Sequence, residues 1–195
     1  MRAIFFDASG VLFENGTVRF IESLEWEGRG QHAALEAIVS GPLSWALRRG
    51  EIEPADFWSM VENDVRAITG LATGAFRDRW IASFFPHRGM EALLSDLTER
   101  GHELGIIAET VKDRVDALER LHPWTALPRL KFRSFEVRED KRDGGLFRHA
   151  HRLAGPFAER PLMIEDDPAS ALRAEAAGFD VILFQDVEQL RALLL

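Results

Sequence analysis

The chain of 195 residues contains no cysteine and no tyrosine. Without cysteine there is no disulfide framework, no thiolate zinc site and no cysteine nucleophile. Lysine is scarce as well, occurring only as Lys112, Lys131 and Lys141. With 24 Lys plus Arg against 32 Asp plus Glu and a formal charge of -8, the chain lacks the clustered cations that neutralise a nucleic-acid backbone. No stretch approaches the roughly 20 apolar residues of a membrane span. The N-terminal apolar run Ala3–Phe6 is cut by Asp7, too early for the apolar region of a secretory signal. These absences predict a cytoplasmic protein, monomer or homodimer, with no nucleic-acid or membrane partner.

What is present is ordinary globular material: 46% hydrophobic and 29% charged residues. A chain of this size buries about 70% of its unfolded surface and needs no covalent staples. Four short apolar runs, Ala3–Phe6, Leu104–Ala108, Leu162–Ile164 and Val181–Phe184, have the length of buried parallel strands, and Leu130–Phe132 is a fifth with charged flanks. Helical patterns over Gly89–Arg100, Val111–Leu121, Leu146–Ala154, Pro168–Ala177 and Val187–Leu194 alternate with them. Alternation of this kind predicts a doubly wound α/β sheet with right-handed crossovers. Asp167-Pro168 has the form of a helix N-cap followed by proline in the first turn, and Thr110 with Asp113 resembles a capping box. Gly101 and Gly178 stand where helices end.

Residues 15–85 break the alternation with helical patterns alone. One starts at Glu53-Pro54-Ala55-Asp56 and carries Phe57, Trp58, Val61, Val65 and Ile68 on one face; another runs over Thr73–Phe84. The expectation is a core of residues 1–14 and 86–195, with 15–85 inserted as a helical cap above the C-terminal edge of the sheet, where α/β proteins bind ligands. The insert holds Trp26, Trp45, Phe57, Trp58, Phe76, Trp80, Phe84 and Phe85; most are expected in its own core, and an exposed subset in a substrate pocket.

The strand ends carry the chemistry. Asp7 closes the first apolar run and precedes Ala8-Ser9-Gly10, so its carboxylate either caps a turn or faces the crevice. Glu165, Asp166 and Asp167 close another run. Three adjacent acids repel unless a cation or protons intervene, and hard divalent cations take such oxygen ligands. Asp167 reads as the N-cap beside Pro168, which leaves Glu165 and Asp166 for a site. Arg48 and Arg49 read as a solvated helix face, with reach from the cap to a substrate anion as the alternative, and the six histidines have no metal-ligand spacing.

In this order the motifs resemble the haloacid dehalogenase-like (HAD) hydrolase superfamily, across almost the whole chain. Phe5-Phe6-Asp7-Ala8-Ser9-Gly10-Val11-Leu12 is similar to its first motif and Glu103–Thr110 to its second. Ser134-Phe135-Glu136-Val137 followed by Lys141 has the spacing of its third, and Ile164-Glu165-Asp166-Asp167 through Ala177-Gly178 the length of its fourth. The insert resembles a C1-type cap, and Arg49-Gly50-Glu51-Ile52 a cap segment of small sugar-phosphatase members. The resemblance implies a Rossmann-like core and phosphomonoester hydrolysis on a small phosphorylated substrate, through an aspartyl-phosphate on Asp7. It implies Mg2+ held by Asp7, the Ser9 carbonyl, Asp166 and Glu165, with Lys141 balancing phosphoryl charge. Gly10, Ala108, Glu109 and Thr110 would line the substrate site.

The departures from the family pattern bear on activity. Ser9 stands where phosphatases of the family carry a second aspartate as general acid and base, a function worth roughly 10²–10⁴ in rate. Ala108 replaces the second motif's hydroxyl residue; Thr110 lies two residues on, and Glu109 adds negative charge. Arg142 follows Lys141 where proline is usual, and Glu165 replaces an aspartate. A Schiff-base phosphonate hydrolase is disfavoured because residues 15–85 contain no lysine. Haloacid dehalogenation without metal would leave the acidic cluster without a cation. The alternative is a catalytically weakened relative that acts by binding a ligand or partner.

Overall fold

The computed structural model describes residues 2–24, 29–155 and 159–195; Trp26 lies outside the described residues. β1 (Ala3–Phe6) leads into an insertion of helices, α1 (Gly16–Ser23), α2 (Arg29–Ser40), α3 (Pro42–Arg48), α4 (Pro54–Met60), α5 (Glu62–Thr69) and α6 (Thr73–Ala82). The alternating part follows: α7 (Met90–Glu99), β2 (Glu103–Ala108), α8 (Lys112–Leu121), β3 (Leu130–Arg133), α9 (Ser134–Val137) and α10 (Gly145–Leu153). It closes with β4 (Leu162–Glu165), α11 (Pro168–Ala176), β5 (Asp180–Leu183) and α12 (Val187–Leu194). The five strands form one parallel sheet in the order β3-β2-β1-β4-β5.

Period-two alternation sends the strand side chains to opposite faces. Ile4, Phe6, Leu104, Ile106 and Ile164 join one apolar cluster; Ala3, Phe5, Ile107, Phe132 and Met163 join the other. Gly105 leaves room for the Phe5 ring, which a Cβ there would meet at 2.4 Å. The fifth strand is real and lies at the edge. Its charged residues are paired: Lys131 and Arg133 both donate to Glu119 on α8, the lysine at 2.6 Å, and Arg133 also donates to Glu136 at 3.0 Å.

The local signals hold with two exceptions. Asp167 accepts from the Ser170 N–H at 2.8 Å with Pro168 opening α11, and Gly101 and Gly178 have positive φ just past α7 and α11. The Thr110–Asp113 capping box does not form. α8 begins at Lys112 with Val111 as its cap residue, because Arg114 claims the Thr110 hydroxyl and the Trp58 indole claims Asp113 Oδ2 at 2.8 Å. The helix expected across Phe57–Ile68 is two, α4 and α5, which break at Val61 with φ -96° and ψ 2°.

The insertion shares the larger apolar cluster with the sheet. Phe20 meets Phe76 edge-to-face at 4.9 Å, and Phe57, Trp58, Trp80 and Phe84 are buried around them. Trp45 is half-buried and Phe85 exposed. Chain entry and exit run side by side, with Phe13 bridging Pro86 and the Glu14 N–H donating to the Phe85 carbonyl at 2.8 Å. Trp58 on Asp113, Arg49 3.7 Å from Asp140 and Gly50 against the Phe135 carbonyl tie the insertion to segments that follow β2 and β3. It therefore stands over the C-terminal ends of the strands. No helix among the described residues is long and apolar enough to cross a membrane.

Candidate active site

The strand order reverses beside β1: β2 and β3 lie on one side of it, β4 and β5 on the other. Such a switch point leaves a crevice at the carboxyl ends of the strands. Phe6 is in register with Ile164, and the Asp7 N–H donates to the Ile164 carbonyl at 2.9 Å. Asp7 and Glu165, from opposite ends of the chain, are thereby set level with one another.

Lys141, from the loop after α9, lies between them. Its Nζ is 2.7 Å from Asp7 Oδ1 and 2.7 Å from Glu165 Oε2. All three residues are buried. Lys141 is thus a buried lysine and not a solvated one. Burial pulls the ammonium down, but Asp7 and Glu165 outweigh it and hold its pKa above the ordinary lysine value. Burial pushes Asp7 up to about 6 against the pull of Lys141. Burial likewise raises Glu165, and burial together with the Asp7 charge raises Asp166.

Carboxylate oxygens of Asp7, Glu165 and Asp166 lie within 4.8 Å of one another. One lysine cannot compensate three carboxylates, and oxygen donors so close suit a hard divalent cation. Both Glu165 oxygens are engaged, Oε2 by Lys141 and Oε1 by the Asp167 N–H at 3.4 Å. That leaves Asp7 and Asp166 the freer ligands. Gly10 makes the geometry possible: with φ 101° its backbone passes so close that a Cβ would meet Asp166 Oδ2 at 2.0 Å. His87 approaches the Gly10 carbonyl at 3.2 Å. Asp167, committed to its cap, stays out of the cluster.

The β2 side differs. Ala108 ends the strand without a hydroxyl. Thr110 is buried; its N–H donates to Ser134 Oγ at 3.0 Å, and its Oγ1 accepts from Arg114 Nη2 at 2.9 Å and Nε at 3.2 Å. Ser9, Ala108, Thr110 and Arg114 border a cavity of about 50 Å³ walled mainly by Leu12, Phe13, Phe84 and Leu118. Glu109 Oε1 is buried without a hydrogen-bond partner among the described residues, and burial raises its pKa against the pull of Arg48. Arg48 is not on a solvated face: its Nε is also buried, without a hydrogen-bond partner among the described residues. Arg49 bonds Glu51 at 2.6 Å.

Three neighbours have contacts that sequence reasoning missed. Arg114 stacks on Phe84 at 4.5 Å, and burial lowers it to about 9. Arg142 stacks on Trp45 at 3.7 Å and pairs with Asp140 at 2.7 Å. An arginine in an amphipathic helix or a polar loop reads as solvated, so no local signal marks either cation. Trp45 reads as part of the insertion's core.

No protein-family model matches the chain, and no curated protein does. Solved structures do. A HAD family enzyme of Bacteroides thetaiotaomicron is 15% identical over 99% of this chain and 98% of its own, with a TM-score of 0.78; its complex with magnesium and inorganic phosphate matches at 0.76. A HAD-like family hydrolase of Porphyromonas gingivalis is 19% identical over 100% of this chain and 98% of its own, at 0.74. L-2-haloacid dehalogenase of Xanthobacter autotrophicus, with chloropropionic acid covalently bound, is 16% identical over 98% of this chain and 81% of its own, at 0.65. The chain has the fold of the HAD-like hydrolases.

Proposed function

We propose that this chain, with the fold of the HAD-like hydrolases, hydrolyses a small phosphomonoester through an aspartyl-phosphate on Asp7, with residues 15–85 as its cap. The observation that carries this reading is the buried Asp7–Lys141–Glu165 cluster with Asp166 beside it at the sheet's switch point. The magnesium and phosphate bound by the Bacteroides relative agree with it. Haloacid dehalogenation is less favoured, since it gives the three carboxylates no cation.

An Asp7 carboxylate oxygen attacks phosphorus. The bond from phosphorus to the ester oxygen breaks, and the alcohol leaves with a proton drawn from water. A second water, giving its proton to the hydroxide left by the first, then attacks phosphorus and releases phosphate and free Asp7. Lys141 holds Asp7 in place and offsets charge on the phosphoryl oxygens. Asp7, Asp166 and the Ser9 carbonyl would hold Mg2+, with Glu165 behind them through Lys141; the ion supplies Lewis-acid charge compensation. Ser9 cannot protonate the leaving alkoxide as a carboxylic acid does, so turnover is slow relative to an aspartate at this place.

The test is hydrolysis of phenyl phosphate with magnesium, together with acid quench and mass spectrometry for one phosphoryl group on Asp7. Turnover and label that both vanish in Asp7→Asn support the enzyme. A wild type without turnover that gains it in Ser9→Asp combined with Ala108→Ser favours the second reading, a weakened relative acting by binding; Ser9 and Ala108 are what recommend it.

A further inference from the structure

The insertion holds the residues on both sides of Lys141, through α3 and the turn that follows it. The Arg142 guanidinium carbon is 3.7 Å from the Trp45 ring centre. Arg49 Nη1 lies 3.7 Å from Asp140 Oδ2. Gly50 runs so close to α9 that a Cβ there would meet the Phe135 carbonyl oxygen at 2.2 Å. Asp140 and Arg142 are also bonded to each other. Arg142 donates to Asp140 Oδ2 from Nη2 at 2.7 Å and from Nε at 3.2 Å, and its backbone N–H donates to Oδ1 at 3.0 Å. On the core side the hold is on the backbone: the Leu146 N–H donates to the Asp140 carbonyl at 2.9 Å, and the Gly144 N–H to the Lys141 carbonyl at 3.0 Å.

Lys141 has to be placed closely. Its Nζ is 2.7 Å from Asp7 Oδ1, 2.7 Å from Glu165 Oε2 and 5.4 Å from the Phe147 ring centre. A lysine carries a point charge on a flexible four-carbon stem, so a bridge between two carboxylates depends on where the stem starts. Here it starts between Asp140 and Arg142. Among the described residues neither of these, nor Trp45 or Arg49, bonds Asp7, Glu165 or Asp166; what they do for Asp7 passes through Lys141. If the contacts merely seat the insertion, cutting them disturbs stability and substrate binding. If they place Lys141, cutting them slows the reaction step, where a shift of about 1 Å costs on the order of 10²-fold in rate.

We propose that Trp45 and Arg49 are positioning residues for the nucleophile. By holding Arg142 and Asp140 they fix the segment from which Lys141 reaches Asp7, so the insertion seated on the core keeps Asp7 in its attacking place. The proposal rests on the reading of Asp7 as nucleophile. It gives the insertion a part in the reaction step as well as in covering the crevice.

Hydrolysis of phenyl phosphate with magnesium tests it in Trp45→Ala, Trp45→Phe, Arg142→Ala and the double variant Trp45→Ala/Arg142→Ala. Trp45→Ala lowers kcat by about 10- to 100-fold with KM little changed. Trp45→Phe keeps a ring face for the cation and restores most of the rate. The double variant is no slower than the slower single one, because the two residues make one contact. The three lysines give a readout independent of turnover. Acetylation by an N-hydroxysuccinimide ester, followed by peptide mass spectrometry, compares buried Lys141 with Lys112, whose side chain is 55% exposed. Lys141 labels far more slowly than Lys112 in wild type; in Trp45→Ala its rate relative to Lys112 rises several-fold, and in Trp45→Phe it does not. The proposal requires both readouts to move. An unchanged kcat or unchanged Lys141 labelling in Trp45→Ala overturns it, as do a raised KM at constant kcat and single losses that multiply in the double variant; each leaves the phosphatase reading standing. A wild type that turns over no phenyl phosphate takes down that reading and, with it, this one.

Discussion

β1 is flanked by β4 on one side and β2 on the other, and the two flanks are built on opposite terms. Where β1 meets β4, Asp7, Lys141 and Glu165 are buried and mutually bonded, with Asp166 at hand for a cation. Where β1 meets β2, Ala108 offers no hydroxyl, Glu109 and Arg48 carry bare buried atoms, and Arg114 is a buried cation without an ion pair among the described residues. The first flank is drawn entirely from the core, with one ammonium between two of its three carboxylates. The second takes Arg48 from the insertion and Glu109 from the core, each with a buried atom that has no partner among the described residues. The difference is between charges paired inside the core and buried polar atoms without partners among the described residues.

The sharpest break of that comparison is Asp7→Asn. If the β4 flank does the chemistry, turnover of phenyl phosphate falls by about 10³-fold or more in steady-state assay. Ser9→Asp runs the other way and raises turnover by roughly 10²–10⁴-fold, provided that the missing acid is what limits the rate; an unchanged rate would place the limit on the β2 flank. Lys141→Met leaves two buried carboxylates facing each other, and urea denaturation should show a loss of about 3–5 kcal/mol. Gly10→Ala drives a Cβ into Asp166 and forces positive φ on a side chain; magnesium affinity by calorimetry should drop by about tenfold while the fold persists.

The smallest effect belongs to Asp167, which sits beside the cluster without joining it. Asp167→Ala removes the N-cap of α11 and costs about 1 kcal/mol of stability, with magnesium affinity unchanged. Burial would raise this carboxyl, but its bonds from the start of α11 hold it below the ordinary value. Its contribution is therefore present above the unfolded carboxyl pKa of about 3.9 and is lost as pH falls through the lowered one. Wild type and Asp167→Ala should converge in stability at the acid end of a denaturation series.

Much of the sheet is legible along the chain, because parallel strands buried on both faces are unbroken apolar runs. Ala3–Phe6 and Leu162–Ile164 stand out for that reason, while Leu130–Phe132 is blurred by edge charges that Glu119 absorbs. Asp167 declares itself through the proline beside it. Asp7, Glu165, Asp166 and Lys141 are visible as acids at strand ends and a lysine at a spacing, and the fold brings them together. Thr110 misleads, because a hydroxyl three residues before an acid suggests a cap, and nothing local reveals that a buried arginine has taken it. Arg48, Arg114 and Arg142 mislead alike: a guanidinium has the same appearance in sequence whether it meets water or a tryptophan ring.

By itself the sequence determined the elements, their alternation and the acids at the strand ends, because apolar period and cap chemistry act over a few residues. Tertiary structure alone decided which charges are compensated. Lys141 became the bridge of Asp7 and Glu165, and Arg48 Nε and Glu109 Oε1 were left without partners among the described residues, through distances between segments far apart in the chain; the cost or gain of a charge is set by what surrounds it once water is gone.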